Sequence, residues 1–123
     1  MIGTNDLERS RAFYDAVLGT LGVPPGHVDR HRVFWRTPTG IFSVSVPING
    51  EPATVGNGTT IGFACSSSEQ ADAWHAAGCA HGGTTCEDPP GVREGASGKL
   101  YLAYLRDPDG NKLCGLYRLP KGA

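Results

Sequence analysis

The chain has 123 residues, enough for one domain around a single core. Apolar residues make up 39% and charged residues 19%, which excludes a disordered polyelectrolyte. A net charge of −1 offers no field of one sign to hold a nucleic acid backbone, so nucleic acid is not an expected partner.

The 18 glycines and 9 prolines argue for many turns and short strands, not a helical bundle. The first element is a helix from about Asp6 to Leu21. Asn5 is the expected cap, with Glu8 closing a capping box. Leu7, Phe13, Tyr14, Val17, Leu18 and Leu21 recur at helical spacing and give one apolar face. Gly19 and Gly22 loosen its end, and Pro24-Pro25 forbids continuation.

Two β-rich runs follow, Arg32 to Arg36 and Ile41 to Val46, joined by the turn sequence Thr37-Pro38-Thr39-Gly40. Residues 47–58 are turn-rich and read as a linker. Thr59 to Cys65 is the next strand. Ser67 caps a second helix, Ser68 to about Ala80, with Gln70 completing an S-x-x-Q box. Residues 82–98 read mostly as loop, with room for a short strand at Thr84 to Glu87. Glu87, Asp88 and Glu94 are expected to be solvated there. Lys99 to Arg106 and Lys112 to Arg118 are strands, joined by the hairpin Asp107-Pro108-Asp109-Gly110-Asn111.

No apolar run reaches ten residues, too short to span a bilayer, so no membrane partner is expected. Acids near Met1 do not suit a signal peptide, and a cytoplasmic location is expected. Cys65, Cys79, Cys86 and Cys114 form no CxxC pair and read as free thiols. His75, Cys79, His81 and Cys86 are zinc-type residues at a spacing no standard zinc module uses. Surface histidines and buried cysteines are the expectation for them. The glycine-rich segments match no phosphate-loop pattern.

The two halves read as one pattern written twice. An offset of 61 lays Asp6 on Ser67 and Phe13 on Trp74. An offset of 70 lays Arg36 to Gly40 on Arg106 to Gly110, hairpin on hairpin. Each half is strand, helix, then three strands, and such repeats share one core. The expected layout is a single domain, with module one at about 1–46, the linker at 47–58 and module two at about 59–118.

Two motifs carry a resemblance: Asp6-Leu7-Glu8-Arg9-Ser10-Arg11-Ala12-Phe13-Tyr14, a DLxxSxxFY opening, and the DPDGN hairpin at 107–111. With the repeat, they make the chain resemble the vicinal oxygen chelate superfamily, which includes glyoxalase I, bleomycin resistance proteins, fosfomycin resistance enzymes and extradiol dioxygenases. The resemblance implies an α+β fold of paired βαβββ modules, a curved mixed sheet around a cleft, and a homodimer. It also implies, in the metal enzymes, four His and Glu ligands that chelate two neighbouring substrate oxygens.

Mapped onto this chain, the eighth-strand ligand position falls on Cys114 and the fifth-strand position on Thr60. The fourth-strand position falls on Ser43, or Ser45 if the register slips by two, and the first-strand position falls before Met1. These are poor ligands, so no metal and no cofactor are expected. The reading is a metal-free protein that binds a small, partly apolar molecule in its cleft, as the bleomycin resistance branch does. Expected lining residues are Phe34, Ser43, Thr60, Arg93, Tyr104 and Cys114. Tyr104 is included because the hairpin would pair it with Cys114, and Phe34 holds the same place in the first half. Arg93 belongs to a loop that overhangs the cleft in the family, and could lower the Cys114 pKa if it lay close enough. The alternative is a metal-dependent lyase, isomerase or dioxygenase of the same superfamily.

Overall fold

A computed structural model describes residues Met1–Lys121. The first half runs β1 (Ile2–Gly3), α1 (Leu7–Gly19), β2 (His27–Asp29), β3 (Arg32–Thr37) and β4 (Gly40–Ser45). Its sheet has the order β1-β4-β3-β2, with β1 parallel to β4 and the rest antiparallel. The second half runs β5 (Ile61–Ala64), α2 (Ser68–Ala80), β6 (Thr84–Thr85), β7 (Gly91–Gly95), β8 (Gly98–Arg106) and β9 (Lys112–Arg118). Its order, β5-β9-β8-β6, repeats the first, and β7 is an added strand on β8. The fold is therefore α+β, as expected.

Strand alternation divides the side chains between two faces. Val33, Trp35, Phe42 and Val44 turn to one side and pack with Phe13, Tyr14, Val17 and Leu18 of α1. Ala103, Leu105 and Leu113 do the same with Trp74 of α2. The helices pack on each other, and Phe42 meets Phe63 at 5.3 Å between ring centres, so both halves close one core. The remaining positions, Phe34 and Ser43 on one sheet and Tyr104 and Cys114 on the other, point away from the helices.

Several local expectations are corrected. Asp6, not Asn5, caps α1, and its Oδ1 accepts from the Arg9 amide at 3.0 Å. Asn5 is engaged instead with the backbone of Ala53, in the linker. Arg9 then stands three residues after the cap, so no capping box forms; Glu8 pairs with Arg11. The helix stops at Gly19, because Val23 and Leu21 both send their amides back to the Leu18 carbonyl. At α2, Ser67 caps as expected, but the Gln70 side chain reaches back to the Ser66 amide. β2 is the third strand expected of the first half, at a place the sequence did not mark, and β7 was not expected. Both are largely exposed and lack an apolar alternation to read.

Candidate functional site

The outer face of the second sheet carries a short row of side chains. Tyr104 lies directly opposite Cys114, and Cys114 directly opposite Gly62 on β5. On the other flank, the Cys86 amide donates to the Tyr104 carbonyl at 3.4 Å. The Cys114 thiol donates to the Gly115 carbonyl at 3.7 Å. A Cβ added at Gly62 would meet no atom within 4 Å, so the row is open at that end.

A charged pair overlies this row. The Lys112 ammonium sits 5.1 Å from the centre of the Tyr104 ring and forms an ion pair with Glu87. Glu87 is exposed, as the sequence suggested, and its pairing with Lys112 ties it to the sheet. The residue adopts φ 57°, a left-handed conformation uncommon for a side chain of this type. Such strain persists only where surrounding contacts hold it, and the ion pair is one such contact. No local sequence signal marks Glu87, because its partner is 25 residues away.

Burial pushes the Tyr104 hydroxyl up, and the nearby Cys114 and Glu87 add to it. Burial also pushes the Cys114 thiol up, with the neighbouring Tyr104 hydroxyl working the other way. Activation of Cys114 by Arg93 is not found. Arg93 lies opposite Leu100 on β7, and its guanidinium donates to the Asp88 and Pro89 carbonyls.

Thr60 immediately precedes β5 and is exposed. It joins Lys112 and Arg106 around a hollow of about 540 Å³ beside the start of β9. Phe34 and Ser43 are directly opposite one another, but on the first sheet. A second hollow of about 530 Å³, apolar, lies between Leu21, Val23, Trp35, Phe42, Ile61 and Phe63, and no sequence signal pointed to it. Neither hollow takes in Phe34, Ser43, Tyr104 or Cys114. The chain thus joins Tyr104 with Cys114 on one sheet and Phe34 with Ser43 on the other, and leaves Thr60 in the separate hollow.

The donors at the mapped ligand positions do not fit a divalent metal. Ser43 and Cys114 belong to different sheets, and Cys114 is a hydrogen-bonded thiol whose deprotonation is disfavoured. The nearest carboxylate, Glu87, is engaged by Lys112. Among the described residues, no three His, Cys, Asp or Glu side chains converge in a metal-binding group. Of the zinc-type residues, Cys79 and His75 touch at 4.0 Å along α2, but His75 also faces Thr85 and His81 turns back to the Ala77 carbonyl. Cys79 is exposed and Cys86 half-buried, which corrects the expectation that both are buried.

The model of the Glyoxalase/Bleomycin resistance protein/Dioxygenase superfamily matches residues 1–114. The chain belongs to that superfamily. It is similar to the crystal structure of a glyoxalase/bleomycin resistance protein from Albidiferax ferrireducens, with 66% identity over 96% of this chain and 95% of that one, and a TM-score of 0.94. A glyoxalase-related enzyme from Fulvimarina pelagi shares the fold at 20% identity and a TM-score of 0.72, over 99% of this chain and 88% of the other. A glyoxalase/bleomycin resistance protein/dioxygenase family enzyme from Burkholderia phytofirmans does so at 19% identity and 0.72, over 96% and 94%. No curated protein matches the chain. No helix among the described residues is long and apolar enough to cross a membrane.

Proposed function

We propose that this member of the superfamily binds a small, partly apolar organic molecule on the Tyr104–Cys114 face, without a metal. The observation that carries the reading is the Tyr104–Cys114–Gly62 row: an aromatic ring, a neutral thiol and an open glycine flank. Such a surface supplies stacking and van der Waals contact, with a hydroxyl for orientation. Its donors, a hydroxyl and a thiol that burial keeps protonated, are poor ligands for a divalent metal, which is why binding is favoured over metal-dependent lyase, isomerase or dioxygenase chemistry. Phe34 and Ser43 form the matching row on the first sheet. We place Arg93 at the margin, on the β7 strand that borders the face.

A homodimer fits this reading. The two rows lie on separate sheets, and a second copy could bring one row over the other. Exposed apolar side chains at Met1, Val46 and Ile48 offer surface for association. We assign the protein to the cytoplasm, where four free thiols persist.

The test pairs metal analysis of purified protein with NMR titration by indole and phenylacetamide. Saturable shifts at Gly62, Tyr104 and Cys114 are expected, with no stoichiometric Zn, Ni, Fe or Mn. Gly62→Leu should abolish those shifts at an unchanged melting temperature, since its side chain enters open space. A tightly bound metal, or titrations that leave these three amides unmoved, would overturn the proposal.

A further inference from the structure

We infer that the hollow beside the start of β9 takes an anionic group, so that the ligand of the Tyr104–Cys114 face is a small organic oxyanion: a carboxylate, phosphate or phosphonate. The inference rests on the binding reading above and adds the ligand's charge and class.

Arg106 and Lys112 are directly opposite one another in the β8–β9 ladder, and both line the hollow. Like charges in that register repel, and a fold keeps them together at a cost. Glu87 offsets Lys112 alone. Among the described residues no carboxylate pairs with Arg106, and no acid lines the hollow. One positive charge is therefore left over at a concave surface.

The guanidinium is held in place. Its Nη1 donates to the Gly110 carbonyl at 2.8 Å, which fixes the fork at the hollow's edge. A fixed guanidinium matches the paired oxygens of a carboxylate or phosphate. Asn57, Thr59 and Thr60 bring further side-chain donors to the same wall. The Arg106–Lys112 pair lies two residues along the ladder from Tyr104–Cys114, a span of about 7 Å. A ring bearing a short acidic arm covers that distance. Lys112 touches both parts, since it lines the hollow and overlies the Tyr104 ring.

The test is NMR titration at fixed ionic strength with acetate, inorganic phosphate and chloride, then with phenylacetate and its neutral isostere phenylacetamide. Acetate or phosphate should move the amides of Gly56 to Thr60 saturably where chloride does not, and which of the two binds tighter reports the headgroup. Phenylacetate should bind about tenfold tighter than phenylacetamide, the scale of one charge-assisted contact. Arg106→Gln should remove that difference. Because Arg106 also braces the turn, Asn57→Asp is the second variant; it adds an opposing charge at an exposed position and should weaken the acid alone. Equal affinity for acid and amide, with both moving Tyr104 and Cys114, would overturn the inference and leave the binding proposal standing. Anion shifts at the hollow with Tyr104 and Cys114 unmoved by either aromatic probe would uphold the anion site and overturn the binding proposal. Anion titrations that merely track chloride would overturn the inference outright.

Discussion

Tyr14 and Asp107 stand 93 residues apart and share a hydrogen bond of 2.6 Å, phenol donating to carboxylate. Tyr14 belongs to the DLxxSxxFY opening and Asp107 to the DPDGN hairpin, so the two motifs that carry the resemblance touch each other. Asp107 also accepts from the Asp109 and Asn111 amides and from the Asn111 side chain. Burial drives the Tyr14 phenol far up, and the Asp107 charge adds to it, so the phenol stays a neutral donor.

Tyr14→Phe therefore strips a fully buried carboxylate contact. The expected loss is about 1.5–3 kcal/mol, the range for a hydrogen bond to a charged group. Urea unfolding with an unchanged slope measures it. A loss below about 0.5 kcal/mol would mean that the bond contributes little beyond what water offers.

Asp109 binds the start of α1 to the same hairpin. Burial works against its charge, yet hydrogen bonds from Thr4, the Asn5 amide and Ser10, with the Arg9 charge, together hold its carboxyl below the ordinary value. A depressed folded value means the contribution is fully present above the unfolded value of about 4 and is lost as pH falls through the folded one. Stability should thus drop on acidification below about pH 4, and Asp109→Asn should flatten that part of the profile. Unfolding free energies between pH 2 and 6, for wild type and variant, decide it; parallel profiles would refute the role of Asp109.

Two glycines of the second sheet should respond oppositely to alanine. A Cβ at Gly115 would lie 2.7 Å from Cε3 of the buried Trp74 ring. The ring cannot retreat through a packed core, and Gly115→Ala should cost about 1–3 kcal/mol. At Gly62 the added Cβ enters open space, and Gly62→Ala should be neutral or mildly stabilising. Thermal melting of the two variants would contradict the close packing of Trp74 on Gly115 if both were equally tolerated.

The four thiols should separate by reactivity. Cys79 is exposed and should react first with iodoacetamide at pH 8, followed by half-buried Cys86. Cys65 and Cys114 should be slowest, since both are buried and burial raises both thiols above their ordinary value. Mass spectrometry of timed aliquots gives the order. Early modification of Cys114 would mean that its thiol is activated despite its burial.

The sequence by itself determined the α+β class, the two helices, the hairpin strands and the repeat, because each rests on neighbours in the chain. A cap acts over three residues, a helical face over four, a turn over five. The same logic foresaw the Tyr104–Cys114 pairing, since a tight hairpin dictates its own register. Where a local rule competed with a distant partner, only the tertiary structure decided. Asn5 lost the cap to Asp6 once Ala53 of the linker engaged its side chain. Glu87 stays exposed, yet only the fold brings Lys112 within reach of it. β7 formed on the bare backbone edge of β8, and backbone hydrogen bonding needs no apolar alternation. The separation of Phe34 and Ser43 from Tyr104 and Cys114 was equally beyond the sequence. Strand alternation says which residues share a face, and only the packing of the two sheets on their helices says which faces meet.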